Sequence, residues 1–109
     1  MNLDVIKNLI NIEVLDCCNN QLISLEGIEN LNNLKFLAIA YNQLTNLNGI
    51  EKLTNLRQLY CNNNQLTSLD GIENLINLEQ LYCDNNQFSE EYKDYIKDYC
   101  NKKDIELYI

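Results

Sequence analysis

LTNLRQLYCNNNQLTSLDGIENL, residues 53–75, carries the pattern on which the fold turns. Leu59 and Cys61 alternate with Tyr60 and Asn62, as in a strand with one face buried. Leu66, Leu69, Ile72 and Leu75 follow at steps of three, which suits a tight return path of partly 3₁₀ character. The same phrase recurs along the chain. Asn-Gln-Leu stands at 20–22, 42–44 and 64–66 and becomes Asn-Gln-Phe at 86–88, a constant step of 22 residues. Gly27, Gly49 and Gly71 keep that step, each followed by Ile-Glu. The chain therefore reads as one repeat domain over 1–109: a partial first repeat at 1–8, then repeats at 9–30, 31–52, 53–74 and 75–88.

One such coil cannot bury its own apolar edge. Stacked coils can, with each strand pairing in parallel with the next at about 4.8 Å. Strands are predicted near 14–18, 36–40, 58–62, 80–84 and 105–109, in that spatial order. The return path is bulkier than the strands, so the stack should curve with its sheet on the concave side. Inward positions should include Leu37, Ile39, Leu59, Cys61, Leu81 and Cys83. Asn20, Asn42, Asn64 and Asn86 sit where each coil leaves its strand, and a carboxamide there can satisfy backbone groups of its own coil and the next. The alternative, an asparagine row as a ligand site, has less chemistry behind it. Gln21, Gln43, Gln65 and Gln87 should point into solvent.

Units of this form resemble the leucine-rich-repeat family. The 22-residue length and the phrase Leu-x-Gly-Ile-Glu-x-Leu are similar to the subclass found in a regulatory subunit of protein phosphatase 1 and in internalins. The resemblance covers residues 3 to 88. It implies an α/β fold: a right-handed horseshoe solenoid whose parallel, concave sheet commonly binds other proteins. Cys17, Cys61 and Cys83 depart from the family's usual Leu inside the strand, and the family's cap ahead of the first repeat is missing.

The two ends differ. Leu3, Ile6 and Leu9 match Leu25, Ile28 and Leu31 in phase, and no polar lid precedes the first coil. Either residues 1–8 fold over the core as a flap, or the open edge pairs with another chain. Residues 89–109 read as a helix-strand cap. Ser89 is a good N-cap, Glu90 and Glu91 suit a first turn, and Tyr92, Tyr95, Ile96, Tyr99 and Cys100 form an apolar stripe. Ile105, Leu107 and Ile109 then alternate as a last strand.

Several function classes lack their residues. With no His in the chain, neither a Ser-His-Asp nor a Cys-His arrangement can be built, and an enzyme is not expected. A net charge of −8, from 16 acidic and 8 basic side chains, argues against nucleic acid and anionic membranes as partners. Neither a cofactor nor a metal is expected. Cys17, Cys61 and Cys83 in register could suggest a thiolate site, but cysteine is also a common small core residue. An odd total of five cysteines and a start without signal-peptide character (MNLDVIKNLINIEVL) point to a cytoplasmic, intracellular protein with reduced thiols. Cys18 should face outward and be the most reactive of the five. Glu29, Glu51 and Glu73 form an acidic column on the return path that reads as a solvated face.

What remains is the outward side of the strands. Its columns run Val14, Phe36, Gln58, Gln80; Asp16, Ala38, Tyr60, Tyr82 and Tyr108; and Cys18, Ala40, Asn62, Asp84, with Tyr41 and Arg57 at the borders. Stacked tyrosines beside an arginine suit an interface hot spot. Tyrosine also favours strands for its own packing, so the ladder could serve the sheet alone. The reading adopted is a non-catalytic interaction module that binds a protein through Val14, Asp16, Phe36, Tyr41, Arg57, Gln58, Tyr60, Gln80, Tyr82, Asp84 and Tyr108. A monomer is expected. The alternative is a structural subunit that assembles through its N-terminal edge.

Overall fold

A computed structural model of the chain describes residues 2–109; residue 1, part of the expected first partial repeat, lies outside them. Five short strands appear in chain order: β1 (Val14–Asp16), β2 (Phe36–Ala38), β3 (Gln58–Tyr60), β4 (Gln80–Tyr82) and β5 (Glu106–Tyr108). They form one parallel sheet in the order β1-β2-β3-β4-β5. The register repeats the 22-residue step: Leu15 pairs Leu37, Leu37 pairs Leu59, and Leu59 pairs Leu81. Three 3₁₀ turns, Ile28–Asn30, Ile50–Lys52 and Ile72–Asn74, form the return path, and α1 (Glu90–Lys102) replaces the fourth. Leu37, Ile39, Leu59, Cys61, Leu81 and Cys83 are all fully buried, as the alternation required. Rings on the outward side lie 4.4 and 4.1 Å apart, closer than the ~4.8 Å between strands, as expected where side chains converge over a concave sheet.

The strands are three residues long, not five. The ladder does continue past them: Cys17 N–H donates to Ala38 O at 2.8 Å and Asn19 N–H to Ala40 O at 3.0 Å. Extended geometry ends because Asn19, Tyr41, Asn63 and Asn85 take the left-handed conformation, with φ between 56° and 59°, and swing the chain inward. The asparagine that follows each of these ties the turn. Asn64 Oδ1 accepts Leu44 N–H at 3.0 Å, while its Nδ2 donates to Ile39 O and Cys61 O at 3.0 and 3.1 Å. Asn42 repeats this set with Leu22 N–H, Cys17 O and Ile39 O. The bridge runs to the preceding coil, opposite to the expected direction. Asn20 donates only within its own coil, to Cys17 O and Cys18 O.

Two more ladders hold the return path. Glu29, Glu51 and Glu73 each accept the N–H of the glycine two residues before, at 2.8, 3.0 and 3.2 Å. These carboxylates therefore cap the 3₁₀ turns, whose first N–H groups have no partner within the turn, and are not merely a solvated column. Asn33, Asn55 and Asn77 donate to the carbonyls of Ile10, Asn32 and Thr54 in the preceding coil. The three glycines have φ near +102°, a conformation that an L side chain adopts only with strain.

The N-terminal segment is not a flap. Ile6, Leu9 and Ile12 donate to the carbonyls three residues earlier, the bonds made by Ile28, Leu31 and Leu34 in the next coil. Residues 3–12 are thus an in-phase return path lying alongside that coil, and nothing among the described residues crosses its end. Leu9 is 51% exposed where Leu31 is fully buried. At the other end, Ser89 accepts Tyr92 N–H at 3.1 Å, and α1 buries Ile96 and Cys100. The Tyr92 hydroxyl accepts Leu69 N–H at 2.6 Å, which pins the helix to the coil above it. Tyr95, on the expected apolar stripe, is about half exposed. Among the described residues no helix is long and apolar enough to cross a membrane.

Candidate partner-binding face

Strand alternation carries Phe36, Tyr60, Tyr82 and Tyr108 to the outward side, and the register sets three of them in one column. Their rings form a continuous series. Phe36 meets Tyr60 edge-on at 5.2 Å, Tyr60 stacks on Tyr82 at 4.4 Å, and Tyr82 meets Tyr108 at 4.1 Å. Offset contacts of this kind fix each ring by its neighbours, so the platform is ordered before anything binds. Ala38 and Ala40, expected on the open face, are only 3% and 5% exposed. Ala38 pairs with Tyr60 and shares a face with Phe36, and these two large rings meet edge-on on that same face.

A hydrogen-bonded border runs beside the rings. The Tyr108 hydroxyl donates to Glu106 Oε1 at 2.7 Å, and Gln80 Nε2 donates to Glu106 Oε2 at 2.9 Å. The Tyr108 bond holds the Glu106 carboxyl below the usual carboxylate range, and the same bond pushes the phenol well up. Asp16 is likewise held low, by the Cys18 N–H that its Oδ1 accepts at 3.0 Å. Gln58 lies in the column between Phe36 and Gln80, and Val14 stands exposed at its open end. Arg57 is exposed and forms no ion pair among the described residues; its carbonyl accepts the N–H groups of Glu79 and Gln80.

Tyr41 stands apart. Its φ of 57° matches Asn19, Asn63 and Asn85, the residues at the same phase in the other coils. A bulky side chain in this conformation is an outlier, and 53% of it is in solvent. Among the described residues its ring packs against no other aromatic ring.

At the C-terminal end the face opens into a cleft of about 640 Å³, lined by Asn62, Tyr82, Asp84, Lys97, Leu107, Tyr108 and Ile109. Tyr82, Asp84 and Tyr108 were legible in the repeat phase. Lys97 was not, because only the lie of α1 across the last coil brings it there. Cys18, half-exposed, is the one thiol not buried, but burial and the bonded Asp16 push it up, so it is not an activated thiolate. Cys61, Cys83 and Cys100 are buried, and burial raises each of them. Among the described residues no group of three or more His, Cys, Asp or Glu is placed to hold a metal ion.

The family model for leucine-rich repeats in two copies matches residues 10–52 and again 54–92. No curated protein matches the chain. Among solved structures, a repeat protein of Leptospira interrogans superposes with a TM-score of 0.87 at 31% identity, over 100% of this chain and 28% of that one. An internalin of Listeria monocytogenes gives 0.83 at 27% identity, over 94% of this chain and 29% of its own. Internalin C2 of the same organism gives 0.79 at 26%, over 95% and 43%. The chain thus spans less than half the length of each of these structures.

Proposed function

The chain belongs to the leucine-rich-repeat family, and from that premise we propose that it is a non-catalytic interaction module holding a protein partner on its concave sheet face. The observation that carries the reading is the unbroken ring series Phe36–Tyr60–Tyr82–Tyr108, with contacts of 5.2, 4.4 and 4.1 Å. Packing within the sheet accounts for stacking but not for a strained, solvent-exposed Tyr41 at the margin of the same face. Strain persists where something repays it, and binding sites are where such outliers gather. The 22-residue unit also supports placing the chain beside the phosphatase-regulatory-subunit subclass within the family.

Capture of partner from a native extract tests this, with the fold of each variant verified by circular dichroism. Tyr60→Ala with Tyr82→Ala removes the centre of the platform, and such anchors carry about 2 kcal/mol or more each. Capture should be lost. Glu26→Ala with Lys52→Ala, exposed on the return path and neutral in net charge, should leave it intact. The reverse pattern would move the working face to the convex side.

A second reading, assembly through the N-terminal edge, draws on a specific observation. β1 is an edge strand, Leu9, Ile10 and Val14 beside it are exposed, and among the described residues Asn20 Oδ1 accepts no N–H where Asn42, Asn64 and Asn86 each accept one. Light scattering after size exclusion separates the readings. A concentration-dependent oligomer that Leu9→Lys with Val14→Lys dissolves would support assembly, and a monomer at all concentrations would remove it.

A further inference from the structure

We infer that the occupant of the C-terminal half of this face is a basic segment of the partner protein, which lays an arginine or lysine side chain into the cleft between Tyr82, Tyr108 and Asp84. The inference rests on the concave face being the binding face. Charge complementarity is the first argument. The outward columns carry Asp16, Asp84 and Glu106 and not one Lys or Arg. Lys97, reaching in from α1, is the single cation on the cleft lining, and among the described residues it forms no ion pair with Asp84. Asp84 therefore shares the lining with Lys97 but is not tied to it, and one of its oxygens accepts from Asn85 Nδ2 at 3.2 Å.

The second argument is shape and chemistry together. A cleft of about 640 Å³ accepts a long side chain but is too open to enclose a small ligand. Leu107 and Ile109 offer an apolar wall for an aliphatic stem; Tyr82 is covered by rings on both sides, so the π face for the charged end is the far side of Tyr108, with the edge of Tyr82 beside it. An arginine meets all of these at once, since its planar head stacks on a ring while its N–H groups reach a carboxylate. An acidic or phosphorylated segment would meet Asp84 and Glu106 with like charge. The ordered ring series also suits an extended segment, because each ring presents a similar surface one strand further along the sheet.

The probe is a fluorescent nonapeptide of alternating arginine and serine, with glutamine and glutamate versions as comparisons. Affinity is read by anisotropy and the footprint by amide shifts in the labelled full chain. The arginine peptide should bind, shift the amides of Tyr82, Asp84, Leu107 and Tyr108, and lose about tenfold in affinity with Asp84→Asn and Glu106→Gln together. Glu26→Gln with Glu91→Gln removes the same charge elsewhere and should change affinity by less than about twofold. Tyr82→Leu, which keeps an apolar side chain on the sheet without the ring, should also weaken binding. Equal losses in the two charge pairs, or no binding of the arginine peptide, would overturn the inference. If the glutamine peptide bound equally well at the same amides, the basic occupant would fall and the concave reading would stand. A footprint on the return path would remove both.

Discussion

Asn64→Ala should be among the most damaging single changes in this chain, and Asn20→Ala, the same change at the same phase, should be mild. Asn64 is buried, and its carboxamide makes three short bonds: Leu44 N–H at 3.0 Å, Ile39 O at 3.0 Å and Cys61 O at 3.1 Å. Alanine leaves the Leu44 N–H buried without a partner, which costs about 1–3 kcal/mol. The two bonds to carbonyls add about 0.5–1.5 kcal/mol each, for a total of about 2–6 kcal/mol, centred near 4. Against a whole-domain stability of about 5–15 kcal/mol, that is a large share. Asn20 is exposed, and among the described residues it holds only Cys17 O and Cys18 O of its own coil and has no neighbour whose N–H it would abandon. Water replaces its bonds, and the loss should stay under about 1 kcal/mol. Urea unfolding at constant m-value gives both numbers. Equal losses at the two sites, or a loss below about 1 kcal/mol for Asn64→Ala, would refute the inter-coil role assigned to this ladder.

Tyr41→Asn should stabilise the fold by about 1 kcal/mol, because asparagine tolerates the left-handed φ of 57° that tyrosine adopts under strain, and a lowered melting temperature would contradict this. Gly71→Ala should cost roughly 1 kcal/mol more than Gly27→Ala: both have positive φ, but only at Gly71 would the new Cβ lie 2.9 Å from Ile50 Cγ2, against 3.5 Å from Leu3 O at Gly27. Equal costs in thermal melts would mean that the convex packing gives way there. Burial raises Cys83 from 9.0 to about 12 and Cys100 to about 11, so the unfolded chain loses these protons first. Stability should be full below pH 9 and fall as pH climbs towards 11–12, by up to about 1.4 kcal/mol per pH unit per thiol, and a flat profile over that range would contradict the buried thiols.

Phase was the part of this structure most legible in the sequence. A period of 22 with alternating strand positions leaves one consistent set of inward residues, which is why Ile39, Cys61 and Cys83 could be placed inside despite their different chemistry. The same phase held the answer for Leu3, Ile6 and Leu9, since a segment in register continues the coil and does not cross it. Strand length was harder. Asn19, Asn63 and Asn85 hint at a left-handed turn, but Tyr41 breaks the hint at the one copy where the conformation is strained. The glutamate caps have a local signal in the sequence: Gly-Ile-Glu places a carboxylate two residues past a free N–H in every copy. The second asparagine ladder, at 33, 55 and 77, shows the same period but needs the distance between coils to be understood. Lys97, Leu107 and Ile109 meet at the cleft only through the packing of α1, which no repeat period encodes.

The face that meets the partner can be marked directly. A photoreactive benzophenone amino acid placed at Gln58, in the column between Phe36 and Gln80, and separately at Lys52 on the return path, reports which side lies within reach of another protein in the native cell. Binding through the concave face should give a discrete cross-linked protein from position 58 and none from position 52. The same product from position 52, with position 58 silent, would contradict it.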